Sequence, residues 1–252
     1  MDYKDVRDKF IELSGHGELL TTTGEDNGAD FFLNAGQKYL DRFFGFSTGK
    51  TSARYPVIVT AGTYIAKTVG LRAIKEVWIA NADGRSQLVP STLSQLKTEY
   101  SEEFSSVTQG TPYYYAPAIF RPAPDSLNSV TGMYGVDDLL LYNATDPAQH
   151  FNYHGIVIMP PPGGTYTVEI VGLFYSPALS ATLSGGVWTQ TKSYWTEVHP
   201  DVLVEAALVK IEGLYRNTEG IKAFKEMLVS DVSGIDFDII EEELTGSLQI
   251  GG

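Results

Sequence analysis

The chain predicts an α+β protein: a helical bundle formed by its N- and C-terminal helices, with a large inserted antiparallel β-sandwich or sheet. Three observations lead there. Amphipathic stretches with helical spacing open the sequence and close it. Nearly everything between them reads as β, and turn signals rich in glycine and proline punctuate that middle. The division is then 1–50 with 195–252 for the bundle and its C-terminal tail, and 51–194 for the β insertion. Such an order brings the ends of the chain together and projects the sheet away from them. It suits a component that stacks in a larger assembly better than one that encloses a substrate.

At 252 residues and 43% hydrophobic content, the chain can bury a substantial core. Charged residues are scarce at 19%, whereas Tyr (15), Phe (12) and Gly (25) are plentiful, a balance that excludes disorder. There is no cysteine, so neither a disulfide framework nor a thiolate site. The opening MDYKDVRDKFIEL alternates acids with bases and does not read as a signal peptide. No apolar run approaches the ~20 residues of a membrane span. Net charge is −13, and an acidic surface does not grip DNA, because affinity there comes from Lys and Arg displacing counterions. A ring whose bore passes DNA without holding it tolerates this charge.

The first helix is predicted over 2–14, with Val6, Phe10, Ile11 and Leu13 at helical spacing and Asp2, Asp5 and Asp8 near its start. Gly15 and Gly17 stop it. Asp26 and Asn27 are candidate caps for a second helix over 28–44, whose apolar stripe is Phe32, Ala35, Tyr39, Leu40 and Phe43, with Lys38, Asp41 and Arg42 mostly off it.

The period then changes to two. YPVIVT (55–60) and TYIAKT (63–68) flank Ala61-Gly62, a hairpin signal. Residues 72–89 read as two strands turning at Ala82-Asp83-Gly84. Residues 91–104 form a short helix with Ser91 as a candidate cap, and 111–124 are extended with prolines that suit a sheet edge. Residues 125–149 are the least regular part. HGIVIMP (154–160) and TYTVEIVGLFY (165–175), joined by PPGG, make a second hairpin signal, and 181–194 link the sheet to the closing helices.

Pro200 suits a first helical turn, with Leu203, Ala206, Ala207, Ile211 and Leu214 as the packing face. Asn217 and Thr218 end this helix and cap the next, whose apolar side is Ile221, Phe224, Leu228 and Val232. A tail follows in which Ile235, Phe237, Ile239, Ile240 and Leu244 alternate with or adjoin Asp236, Asp238, Glu241, Glu242 and Glu243. The acids could pair for acid–base work or bind a cation, and the reading favoured over that is a solvated acidic face. The site-like alternative is an assembly-docking strip, since apolar side chains on an exposed terminal segment need a partner. It is expected to be mobile in the free subunit and to order on assembly.

Little in the chain points to chemistry. GFSTGKT (45–51) has three residues between its glycines where a phosphate loop needs four, and a helix precedes it where a strand is required. His150 and His154, with Asn152, resemble part of a metal site, but no third strong ligand is near in sequence. There is no Gly-x-Ser-x-Gly elbow. Tyr113-Tyr114-Tyr115 lacks the interleaved bases of a strand-stacking surface and reads as core and edge packing. No catalytic, cofactor or metal residues are therefore assigned, and an enzyme is not expected.

Several separated stretches resemble the head-to-tail adaptor (connector) proteins of tailed bacteriophages: Leu33-Asn34-Ala35-Gly36 with Leu40; the strand opening at Tyr55-Pro56; Gly110-Thr111-Pro112-Tyr113-Tyr114; Tyr175-Ser176-Pro177-Ala178-Leu179; and Trp195 leading to Glu205-Ala206-Ala207-Leu208. It is their order that carries the resemblance. It implies a structural virion protein at the head–tail interface, made in the host cytoplasm. Such a subunit forms a dodecameric ring that docks under the portal protein, meets tail proteins and lines part of a channel for passing double-stranded DNA. A tail-tube or baseplate component is the alternative, and a cell-wall or capsule hydrolase a remote one. The acidic tail departs from the family's pattern.

Overall fold

The computed structural model describes residues 1–43, 52–68, 70–82, 84–119 and 154–248 and divides into two compact units, Met1–Thr51 with Tyr175–Gly252, and Ser52–Phe174. Its class is α+β. The chain opens with α1 (Tyr3–Ser14) and α2 (Ala29–Phe43). Gly15 caps α1 in the left-handed region, and Asp26 Oδ1 accepts the backbone N–H of Gly28 and Asp30 to close the start of α2.

The second unit is a sandwich of two four-stranded sheets. Its elements are β1 (Ser52–Val59), β2 (Ile65–Thr68), β3 (Leu71–Asn81), β4 (Gly84–Gln87), β5 (Val89–Pro90), α3 (Leu93–Glu99), β6 (Tyr114–Ile119), β7 (His154–Met159) and β8 (Tyr166–Phe174). One sheet has the order β1-β8-β3-β4, the other β2-β7-β6-β5. All pairings are antiparallel except the short one between β5 and β6. Val59, Val77, Ile79, Val168 and Ile170 of the first sheet meet Ala66, Tyr115, Ile156 and Ile158 of the second. The second sheet is buried on its other face too, where Val157, Met159 and Ala116 pack with Leu96 of α3 and Phe104. Gly155–Met159 is continuously apolar for that reason, since a strand covered on both faces has no polar side.

The turn at Ala61-Gly62 is real, with Gly62 at φ 77, and so is the sharp segment after Met159, but neither makes a hairpin. β1 pairs with β8 while β2 pairs with β7, so both connections cross from one sheet to the other. The two long stretches form one antiparallel ribbon bent across the sandwich, tied at the bend where Gly62 N donates to Pro162 O at 2.8 Å. Twist and the need to cover two apolar faces favour the bend over two flat hairpins. The helix expected over 91–104 is shorter than that. Thr92, not Ser91, is its cap, in a reciprocal capping box with Gln95.

The chain returns through the hairpin β9 (Ala181–Ser184) and β10 (Val187–Gln190), then α4 (Tyr194–Glu197), α5 (Pro200–Leu214) and α6 (Thr218–Leu248). The boundary expected at 194/195 therefore moves back to 174/175. Residues 175–194 belong with the helices because Leu179 and Ala181 are buried in their core, against which Trp188 packs. That core centres on α5, apolar nearly all round, with Val202, Leu203, Val204, Ala206, Ala207, Leu208, Val209 and Ile211 buried. As expected, α2 and α5 pack together. A Cβ on Gly36 would sit 2.7 Å from Ala207 N, so only glycine permits this approach. Leu214, expected on the packing face, is instead exposed.

The largest correction is at the end of the chain. The expected loose tail is the continuation of α6, one helix from Thr218 to Leu248. Val232 and Ile235 are buried in the helical core at 2% and 5% exposure. Leu228, Val232 and Ile235 keep helical spacing, so the stripe of the helix runs on into the stretch expected to be loose.

Candidate functional site

Three polar residues on one face of α2 hold the returning segment. Asn34 Oδ1 accepts Leu179 N at 2.7 Å, and its Nδ2 donates to Leu179 O at 2.9 Å. One turn on, Gln37 Nε2 donates to Pro177 O at 2.7 Å. One further turn on, the buried Asp41 accepts Ser176 N at 2.8 Å, Ser176 Oγ at 3.0 Å and Trp195 Nε1 at 2.8 Å. A segment without regular structure beside α2 would leave its backbone groups unpaired, and these side chains satisfy them. Placing Asp41 off the buried stripe was therefore an error. Its spacing from Asn34 and Gln37 was the signal, three and four positions on one helical face.

A second buried charge lies under α1. The Arg7 side chain is fully buried; it reaches Asp30 Oδ1 at 3.2 Å, Gly24 O at 2.9 Å and Ala181 O at 3.4 Å. Tyr3 donates to the same Asp30 oxygen at 2.6 Å. Burial pushes the Asp30 carboxyl above its usual range, and the Tyr3 hydrogen bond and the Arg7 charge offset this only in part. Arg7 carried no hydrophobic signal and was not legible as a core residue.

An apolar groove of about 410 Å³ lies between α1, α5 and α6. Val6, Leu13, Val204, Leu208, Phe224 and Met227 line it, with Asp201 and Glu205 at its polar end. Glu205 Oε2 is buried without a hydrogen-bond partner. Burial, then Asp231 and Asp201 nearby, raise the Glu205 carboxyl to about 7. Lys9 on the rim is paired with Glu12 at 2.9 Å. Across the unit, Lys210 lies 4.2 Å over the Tyr39 ring, and burial together with Lys225 and Arg42 lowers its pKa.

Among the residues singled out in the sequence, Ile235 is a core side chain. Asp236, Phe237, Asp238, Ile239, Ile240, Glu241, Glu242, Glu243 and Leu244 lie on the C-terminal half of α6, and their side chains fall outside the described residues. Phe44–Thr51, with the Gly-Phe-Ser-Thr-Gly-Lys-Thr stretch, and His150 and Asn152 lie outside them as well. His154 begins β7; His16 stacks on Tyr215 and His199 faces the Tyr194 hydroxyl at 3.1 Å. Among the described residues, no group of three or more His, Asp or Glu is placed to hold a metal ion, and no helix is long and apolar enough to cross a membrane. Tyr115 packs in the sandwich core, whereas Tyr113 is exposed beside Tyr114.

The helical-unit stretches that carried the resemblance converge. Asn34, Gly36, Ser176, Pro177, Leu179, Trp195 and Ala207 all meet along α2, in the contacts just described. No protein-family model matches the chain, and no curated protein is significantly similar to it.

Proposed function

We propose that the chain is the subunit of a head-to-tail adaptor ring, a structural virion protein that docks under a portal, links capsid to tail and forms part of the DNA channel. The observation that carries this reading is the helical unit closed from both ends of the chain. In it α2 packs on α5 at Gly36 and Ala207, while the β-sandwich is one uninterrupted insertion between them. The residues that resemble the adaptor family supply the polar clasp and close helix contact of that unit. An insertion of this kind leaves the bundle's geometry independent of the sandwich, which suits a part whose role is to present surfaces in fixed register. The acidic balance of the chain fits a channel wall that DNA passes without adhering.

In this reading the C-terminal half of α6, from Asp236 to Leu248, is the segment that meets a neighbour or the portal, with tail proteins on another surface. Its acids favour a basic partner surface. The protein acts through interfaces, without catalysis or a cofactor. The test is light scattering coupled to size-exclusion chromatography, on the subunit alone and with portal-bearing heads of its own virus, followed by electron microscopy of the product. A ring bound at the portal is the expected result. Incorporation along the tail tube or in the baseplate would favour the other structural reading, and hydrolysis of cell-wall polymer the enzymatic one.

A further inference from the structure

The two flanks of the helical unit carry opposite charge. On α6, Phe224 and Met227 line the apolar groove and Asp231, on the same side of the helix, lies beside Glu205, while Lys222, Lys225 and Val229 lie roughly half a turn away round the helix, with the buried stripe of Leu228, Val232 and Ile235 on the core side between them. On α5, Asp201 and Glu205 face the groove and Lys210 the far side. One flank thus presents an apolar trough with Asp201, Glu205 and Asp231 beside one rim lysine, Lys9, and the other a helix ridge with Ile221, Val229, Lys222 and Lys225 beside Lys210 and Arg42, where Glu226 pairs with Lys222 at 4.0 Å.

We infer that these flanks are the two halves of one self-association surface: the α6 ridge of one copy lies in the α1–α5–α6 groove of the next, with its lysines against Asp201, Glu205 and Asp231. The inference rests on the ring reading for closure of the series, and on the charge and shape of this unit for the contact itself. The groove suits an apolar ridge that brings a cation, because Glu205 Oε2 is buried without a geometric hydrogen bond and the carboxylates of Asp231 and Asp201 stand close to it. The elevated Glu205 pKa has the same origin, and an incoming ammonium would lower it. The ridge supplies both features: Lys222 and Lys225 are exposed, and half-exposed Val229 adds apolar surface. Because the surfaces differ and sit on opposite flanks, the contact is heterologous, and repetition gives a ring or filament where a self-complementary patch would stop at a dimer.

Cysteine trapping tests this directly, since the chain has no cysteine of its own. Met227→Cys marks the groove rim and Val229→Cys the ridge, both exposed positions that leave the core intact. Mixed in equal amounts and oxidised, the two single variants should give mixed disulfide dimers several-fold in excess of either homodimer. The doubly substituted chain should give a ladder of higher oligomers. Reversing the exposed charges, with Asp201→Lys and Asp231→Lys in one chain or Lys222→Glu and Lys225→Glu in another, should abolish the ladder in each chain alone and restore it when the two are mixed. Homodimers in excess, no ladder, or no rescue on mixing overturns the inference. A ring that still forms on portal-bearing heads would then leave the functional reading standing on other surfaces. A ladder without portal binding would do the reverse.

Discussion

Trp195 Nε1 donates to Asp41 Oδ1 at 2.8 Å across 154 positions of sequence, with both side chains fully buried. The bond joins the end of α2 to the turn that starts the closing helices. The same carboxylate also takes Ser176, so one side chain ties three separate stretches of chain.

Removing that carboxylate should be severe. Asp41→Ala takes this acceptor from the buried Trp195 indole and from the part-buried Ser176 amide and hydroxyl, at a cost of about 3 kcal/mol or more. Asp41→Asn keeps an acceptor and should cost less. Thermal unfolding of both variants measures the difference; equal losses would mean that the carboxylate is not the common acceptor.

Gly36 sets the distance between α2 and α5. A Cβ there meets Ala207 N at 2.7 Å and Ala206 C at 3.0 Å, both backbone atoms that cannot swing aside. Gly36→Val should therefore destabilise the helical unit by about 2 kcal/mol or more, despite valine's larger apolar surface. A valine variant as stable as wild type in urea denaturation would show that the helices separate freely.

Glu205 makes stability pH-dependent. Its pKa rises from 4.5 to about 7 in the fold, so between those values the folded chain binds more protons than the unfolded one. Stability from this group is present below pH 4.5 and lost as pH rises through 7. The loss is about 1 kcal/mol, well under the full shift, because water reaches much of the side chain. Glu205→Gln, which mimics the protonated form, should raise the melting temperature at pH 8 more than at pH 5. A uniform change at both pH values would remove Glu205 as the cause.

Two truncations separate the core part of α6 from the rest. Deleting 231–252 removes the buried Val232 and Ile235 and should cost about 2–5 kcal/mol. Deleting 236–252 keeps both; the expected result is a nearly unchanged melting temperature with weakened portal attachment. Equal melting losses would make the end of α6 part of the fold, and normal attachment would remove it from docking.

The stretch Gly45–Thr51 carries a further negative expectation. Isothermal titration should detect no ATP binding, because the glycine spacing cannot ring a phosphate with successive amides. A micromolar affinity that Lys50→Ala abolishes would reverse this.

Local periodicity by itself determined the class, the helices α1, α2 and α5, and the pairing of α2 with α5. Each of these has an apolar stripe that must be covered, and stripe and spacing are written in consecutive residues. Gly36 and Asn34 were visible as a motif, without their roles. The tertiary structure alone decided the rest. Ala61-Gly62 and PPGG carry turn chemistry whether a strand folds back on its neighbour or crosses to a second sheet; packing of the two apolar faces chose the crossing. Arg7 and Asp41 are polar by type, and what buries them is backbone brought from more than a hundred positions away, with hydrogen bonds to satisfy. Ile235 reads equally as part of a loose acidic tail and as the next step of a helical stripe. The core beside Leu228 and Val232 made it helix, because burial beside them offsets the entropy lost in ordering the segment.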